Sequence, residues 1–396
     1  MKAAAMLWGK YPQFAAAAEE HMDTVEILAR LVAFPSVVGT PNDGIVDWIR
    51  TYLQDLGIHV TVLPGPEGDR SNIFATIGPR DVAGYILSGH MDVVPAGEPS
   101  WTSEPFALRR EADRLYGRGT TDMKGFLAAA LAAAPELART NLARPIHLAF
   151  SYDEEAGCRG VPHLLAQMKA LCAHPQGAII GEPSRMQAVR AHKGKAAARV
   201  TIGGKAGHSS RPDLALNAIH AMSKVLSSAV DEAHKLTLGP FDPAFEPPYS
   251  TLQAGIISGG LALNIVPDSC RLDLEARGIA NVDPEELLAP IRHSAEILRE
   301  QGFSVDWIPL SAYPALSLAE NVPLATLLEE ITGKPSLAAV SYGTEAGLYQ
   351  AAGIDAIICG PGDIERAHKL DEYILEAELA ECRQMISALA TRCARS

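Results

Sequence analysis

Four short apolar runs, each leading into a histidine or a carboxylate, set the tightest limit on how this chain folds. They are AGYILS (83–88), PIHLAFSY (145–152), GAIIG (177–181) and IDAIICG (354–360). Between and around them lie segments of helical period. Residues 21–34 place Val25, Leu28, Leu31 and Val32 on one face before Pro35 ends the run. Residues 45–56 repeat that spacing and stop at Gly57. The alanine-rich stretch FLAAALAAAPELA (126–138) and a C-terminal segment over 377–390 add two more helices. Strands alternating with helices predict an α/β fold, a mixed and largely parallel sheet flanked by helices on both faces.

The pattern changes between about 186 and 312. VRAHKGKAAARVTIGG reads as a strand and LALNAIHAMSKVLSSAVDEAHK as a long amphipathic helix. A loop with Pro240, Pro243, Pro247 and Pro248 follows. Strands are then expected at 252–257 and 269–276, a helix at 284–300 and a strand at 303–308. The order β-α-β-β-α-β is that of a ferredoxin-like α+β unit. We therefore expect a catalytic domain in two parts, 1–185 and 313–396, interrupted by a lid domain over 186–312.

Composition narrows the function classes. The chain has 396 residues and a formal net charge of −13, so it offers no basic face for nucleic acid or an anionic membrane. Its hydrophobic content of 47% excludes a disordered chain. The six cysteines contain no C-x-x-C pair, as expected of reduced thiols in a reducing compartment. The opening MKAAAMLWGKYPQF has too short an apolar part for a signal segment, and no run of about 18 apolar residues occurs. A cytoplasmic protein is the expectation. Gly203-Gly204-Lys205 lacks the spacing of a phosphate-binding loop. The stretch His192-Lys193-Gly194-Lys195 is too short, and too poor in aromatics, to bind nucleic acid.

Chemistry concentrates where the runs end. AGYILS leads to Gly89-His90-Met91-Asp92, PIHLAFSY to Asp153-Glu154-Glu155, GAIIG to Glu182, and IDAIICG through a loop to His368. Ligands of open α/β sheets collect beyond the carboxyl ends of strands. Asp122, just ahead of the alanine-rich helix, can reach the same edge. Two histidines and three carboxylates suit a pair of divalent ions, Zn²⁺ first and Co²⁺ or Mn²⁺ as well. Asp122 would bridge the pair, with one histidine and one terminal glutamate on each ion. In extended backbone Asp92 points the same way as His90 and can accept its ring N–H. Of the neighbours Glu154 and Glu155, one can ligate while the other faces the attacking water. We expect Glu154 to be the general base and Glu155 a ligand. Singly, each residue has a plainer explanation: a structural histidine, a solvated acidic turn or a helix cap. Their common place beside strand ends favours a joint site.

In order and spacing these residues resemble the metallopeptidase family that includes acetylornithine deacetylase, succinyl-diaminopimelate desuccinylase, aminoacylase and glutamate carboxypeptidase. The stretches that carry the resemblance are SGHMDVVP (88–95), GRGTTDMKG (117–125), SYDEEAG (151–157), GEPS (181–184), GKAGHSS (204–210) and the late His368. It implies His90 and Glu182 on one metal, Glu155 and His368 on the other, and Asp122 on both. It further implies Glu154 as base, Asp92 behind His90, a lid that dimerises, and His208 as oxyanion donor, in many members from the neighbouring subunit. Thr121 stands where the family often has alanine. AHKGK (191–195), SYGTEAGLY (341–349) and GPGDIERAHKLDEY (360–373) look most like the acetylornithine deacetylase branch. That likeness makes Asn264, Arg277 and Thr344 candidates to hold a substrate carboxylate. It implies hydrolysis of a small N-acyl amino acid, N-acetyl-L-ornithine first, in arginine biosynthesis. Desuccinylase, aminoacylase or carboxypeptidase activity are the alternatives within the family. A non-catalytic binding protein is the alternative from another class.

Overall fold

Asp23 opens the first helix, Thr24–Val32, through a capping box in which its side chain and that of Glu26 bond each other's backbone N–H. The structure is a computed structural model that describes residues 22–97 and 100–394. The expected helix start at His21 lies outside that range. Ile27, Leu28, Leu31 and Val32 are buried, while Val25 packs only at the margin of the core. The second helix, Asp43–Asp55, buries Ile45, Val46, Ile49 and Leu53.

The central sheet has six strands. Their order across the sheet is His59–Pro64, Ser71–Ile77, Ile146–Ser151, Tyr85–His90, Gly177–Pro183 and Ala356–Gly360. The first two junctions are antiparallel and the other three parallel. The parallel part consists of the four apolar runs. The sequence reading passed over the antiparallel pair at the edge. Its signal was the alternating HVTVLP followed by a turn containing Gly65 and Gly68.

Helix Gly125–Arg139 lies on one face, packed with the first helix and the C-terminal helix Glu376–Cys393. Helices Val161–Leu171 and Ala346–Ala351 cover the other face. Burial on both sides explains why the parallel strands are apolar without alternation. Close approach of the alanine-rich helix constrains its neighbours. A Cβ at Gly181 would meet the Phe126 ring at 2.0 Å.

The inserted unit supplies a second sheet, ordered Thr251–Gly259, Ser269–Gly278, Gly194–Gly203 and Ser304–Tyr313, antiparallel throughout. Helices Ala218–Leu236 and Pro284–Glu296 cover one face, which matches the strict alternation of buried residues along Gly194–Gly203. This is the ferredoxin-like order. The first of these strands begins at Gly194, later than the sequence suggests, because Ala191–His192 pairs instead with Leu316–Ser317 where the chain returns.

The HKGK stretch proves largely internal. Lys193 is buried and donates 2.8 Å bonds to the carbonyls of Pro247 and Tyr249, anchoring the proline-rich loop. His192 is buried and lies 2.9 Å from the Lys193 carbonyl through Nδ1, while its Nε2 accepts the Gly347 N–H at 3.2 Å. Burial lowers its pKa to about 4, so the ring is neutral. Among the described residues, no helix is long and apolar enough to cross a membrane.

Candidate metal centre

The parallel strands end at one edge, and the candidate ligands gather there. His90 is the last residue of Tyr85–His90, and Glu182 lies inside the end of Gly177–Pro183. Both are buried. Glu154 and Glu155 occupy the turn after Ile146–Ser151. Asp122 is buried in the turn before Gly125–Arg139. His368 follows the short helical turn Ile364–Arg366 with φ of 59°, a left-handed conformation uncommon outside glycine, and is half-exposed.

Asp122 is central. Its Oδ1 lies 3.1 Å from His90 Nε2 and its Oδ2 3.2 Å from His368 Nε2, one oxygen toward each ring. Glu155 Oε1 is 3.0 Å from His368 Nε2, and Glu182 Oε1 is 3.7 Å from His90 Nε2. Donor atoms of His90, Asp122 and Glu155 lie within 4.8 Å of one another, as do those of His90, Glu154 and Glu182. The five residues His90, Asp122, Glu155, Glu182 and His368 thus meet in one place.

Electrostatics marks the same spot. Burial and the neighbouring carboxylates push Glu154 up to about 8 and Glu182 well above the carboxylate range. Burial alone would also raise Asp122, yet hydrogen bonds from His368 and His90 hold it below its ordinary value. Bonds to Asp122 and Glu155 raise His368 to about 10. His90 is raised as well, because Asp122 and Glu182 outweigh its burial. Among the described residues, no lysine or arginine forms an ion pair with Asp92, Asp122, Glu154, Glu155 or Glu182. Four carboxyls, of Asp122, Glu154, Glu155 and Glu182, beside two imidazoles are a negative cluster in want of cations, and oxygen with imidazole nitrogen is a donor set that divalent ions take. The residues fit a pair of metal ions.

The structure revises one contact. His90 Nδ1 lies 2.9 Å from the backbone carbonyl of Asp92 and 3.7 Å from its carboxylate. The Asp92 carboxylate turns instead to the Glu154 and Glu155 N–H groups, at 3.1 and 3.2 Å. It ties down the acidic turn, while main chain orients the histidine. Thr344 lies beneath the surface. It is fully buried, and its hydroxyl accepts the Ala346 N–H at 3.0 Å just ahead of the helix Ala346–Ala351. Arg277 bonds Glu275 at 2.8 Å and the Tyr313 hydroxyl at 3.3 Å, at the end of the inserted unit that joins the main sheet. His208 and Asn264 come together elsewhere on that unit. Both are exposed, His208 pairs with Ser210, and the Asn264 carbonyl accepts the Ser209 N–H.

Three buried side chains beside the cluster were not singled out from sequence. The Cys158 thiol donates to Glu154 Oε1 at 3.2 Å. Glu345 accepts the hydroxyls of Ser88 at 2.5 Å and Ser151 at 2.7 Å beneath the strand ends. Glu372 collects backbone N–H groups around Asp122. Only its place four residues beyond His368 hinted at this.

Comparison with known proteins places the chain in a family. The family described as Peptidase family M20/M25/M40 matches residues 86–392. Acetylornithine deacetylase of Photorhabdus laumondii is 31% identical over 375 residues, covering 92% of this chain and 96% of that protein. Its counterpart in Proteus mirabilis is 32% identical over 385 residues, covering 92% and 95%. An M20 family metallo-carboxypeptidase from Sulfolobus solfataricus superposes with a TM-score of 0.77 at 20% identity, over 93% of this chain and 99% of that one. A Staphylococcus aureus tripeptidase does so with a TM-score of 0.73 at 21% identity, over 95% and 99%. With its strand-end cluster of histidines and carboxylates and relatives matched along nearly its whole length, this chain belongs to peptidase family M20/M25/M40 and is a metal-dependent hydrolase acting on amides.

Proposed function

We propose that the chain uses two metal ions to deacylate an N-acyl amino acid, N-acetyl-L-ornithine above all, releasing L-ornithine and acetate in arginine biosynthesis. The observation that carries this reading is Asp122, with one carboxylate oxygen toward each of two histidines in an otherwise acidic pocket. The names of the relatives support the choice of substrate. On this reading His90 and Glu182 hold one ion, Glu155 and His368 the other, and Asp122 both. Zinc is the proposed metal and cobalt the alternative. When bound, such ions supply Lewis acidity toward an acyl carbonyl and acidify a water. The chain's own residues do the rest. Glu154 accepts a proton from the attacking water and returns it to the leaving amine nitrogen. Asp92 holds the Glu154-Glu155 turn by two backbone bonds. Arg277 is the proposed partner of the substrate carboxylate. A cytoplasmic location is supported by six free cysteines.

A panel of acylated amino acids tests the substrate. The expected result is a kcat/KM for N-acetyl-L-ornithine at least tenfold above N-succinyl-diaminopimelate, other N-acetyl amino acids and dipeptides, the scale on which a shaped pocket discriminates. Faster cleavage of a succinylated or peptide substrate overturns that choice. No turnover at all, with no metal taken up, would favour a binding protein.

We also propose that 186–312 is a lid through which two copies pair. Thr251–Gly259 is an edge strand of the second sheet, with Ile256 and Ile257 about half exposed and Leu261 and Leu263 standing free just beyond. An uncovered apolar edge offers unpaired backbone groups to another strand. A second copy is the proposed occupant, its exposed His208 and Asn264 serving the neighbouring site. Sedimentation should give a dimer for the parent chain and a monomer for Ile256→Lys/Ile257→Lys. A monomeric parent chain at micromolar concentration would end this proposal.

A further inference from the structure

Glu372 is buried and both of its carboxylate oxygens are fully used. Oε1 accepts the N–H groups of Thr121 at 2.9 Å and Asp122 at 3.1 Å. Oε2 accepts the Gly119 N–H and the Arg118 guanidinium, each at 2.9 Å. Arg118, equally buried, also reaches the carbonyls of Lys369 at 3.2 Å and Pro95 at 3.4 Å. Two further bonds run alongside. The Gly117 N–H reaches the Glu372 carbonyl at 2.9 Å, and the Thr121 hydroxyl the Tyr373 carbonyl at 2.6 Å. Three segments are thus fastened at one point: the one that follows His90, the one that holds Asp122 and the one that holds His368.

We infer that Glu372, locked by Arg118, is a positioning residue for the metal centre: it sets the posture of Asp122 and holds the His368 loop against it. The inference rests on the metal reading proposed above. The N–H of Asp122 itself is one of the four donors, so a shift of this carboxylate displaces a ligand directly. Bonds to an ionised acceptor are the strong ones. An ion pair placed only for stability has no reason to gather the amides flanking a bridging residue. Without the acceptor, three buried N–H groups lose their partner, and the turn relaxes to satisfy them elsewhere. The ion held by Asp122, Glu155 and His368 is the more exposed to that loss, because His368 shares its loop with Glu372 itself, whereas His90 and Glu182 are fixed within strands.

The test is zinc titration of metal-free parent chain and Glu372→Gln by calorimetry, with elemental analysis after dialysis. Circular dichroism and the unfolding midpoint show whether the variant is folded. A carboxamide can serve only half of the four donors. The expected outcome is two equivalents in the parent chain and one tightly held equivalent in the folded variant. The second site should be weakened about 10–100-fold, the usual effect of removing a residue that orients ligands. Excess zinc should restore activity, which a purely structural defect would not allow. A folded variant that binds both equivalents as tightly as the parent chain overturns the inference and leaves the metal reading standing. A parent chain that binds no zinc sinks the metal reading and this inference with it. Should Glu372→Gln fail to fold, Glu372→Asp replaces it. That variant keeps the charge beside Arg118 but is too short for the Thr121 and Asp122 amides. The same loss is expected of it, and unchanged zinc binding overturns the inference.

Discussion

Glu154→Gln is expected to fold, to bind both metal equivalents and to lose about 10²–10⁴-fold in kcat with little change in KM. Glutamine keeps the shape of the side chain but cannot take up a proton from water. A rival reading gives this experiment its point. An oxygen of Glu154 lies within the same 4.8 Å cluster as donors of His90 and Glu182, so geometry alone also allows it to be a ligand. Burial raises Glu154 to about 8, and Cys158 holds one of its oxygens at 3.2 Å. A base with raised affinity for a proton fits transfer from water to amine. If the variant loses metal instead, Glu154 is a ligand and the base must be sought at Glu155. Elemental analysis beside steady-state kinetics distinguishes the two.

Removing metal should cost activity almost completely, and should make stability fall as pH rises. The sign follows from which state holds the protons. In metal-free protein Glu154 is raised from 4.5 to about 8, so the folded state keeps a proton that the unfolded chain releases. The resulting stability is fully present below about pH 4.5 and is lost as pH climbs toward 8. His368, raised from 6.5 to about 10, acts in the same direction between those values, though its half-exposed ring contributes less. Asp122 is lowered, so its contribution is lost only at more acid pH. We expect the chelated protein to lose several kcal/mol between pH 5 and 9. Metal replaces those protons, so the loaded protein should show a much flatter profile. At a hundredfold excess over Kd, each ion adds about 2.7 kcal/mol. Thermal unfolding with and without chelator measures this. Identical midpoints across the pH range would mean that no metal binds the cluster.

The sequence revealed the parallel strands because each is buried on both faces and therefore reads as an unbroken apolar run. It revealed the inserted unit because two amphipathic helices and alternating strands leave a periodic trace. The antiparallel strands His59–Pro64 and Ser71–Ile77 are quieter. The first is only partly buried and carries no more than a short alternation. Site residues followed the same division. His90 and Glu182 were legible from strand ends. The His90 ring turns to the Asp92 carbonyl rather than to its carboxylate, and spacing cannot tell the two apart. Glu372 left little mark, because three of its four donors are backbone amides, which carry no sequence signal.

One contrast among the ligands has a wider meaning. His90 and Glu182 sit within buried strands at the middle of the sheet, whereas Glu155 and His368 stand on turns at its rim. Local opening begins where backbone is least enclosed. Gentle warming or dilute denaturant therefore reaches the rim half of the cluster first, and the strand-borne half outlasts it as a lone anchorage.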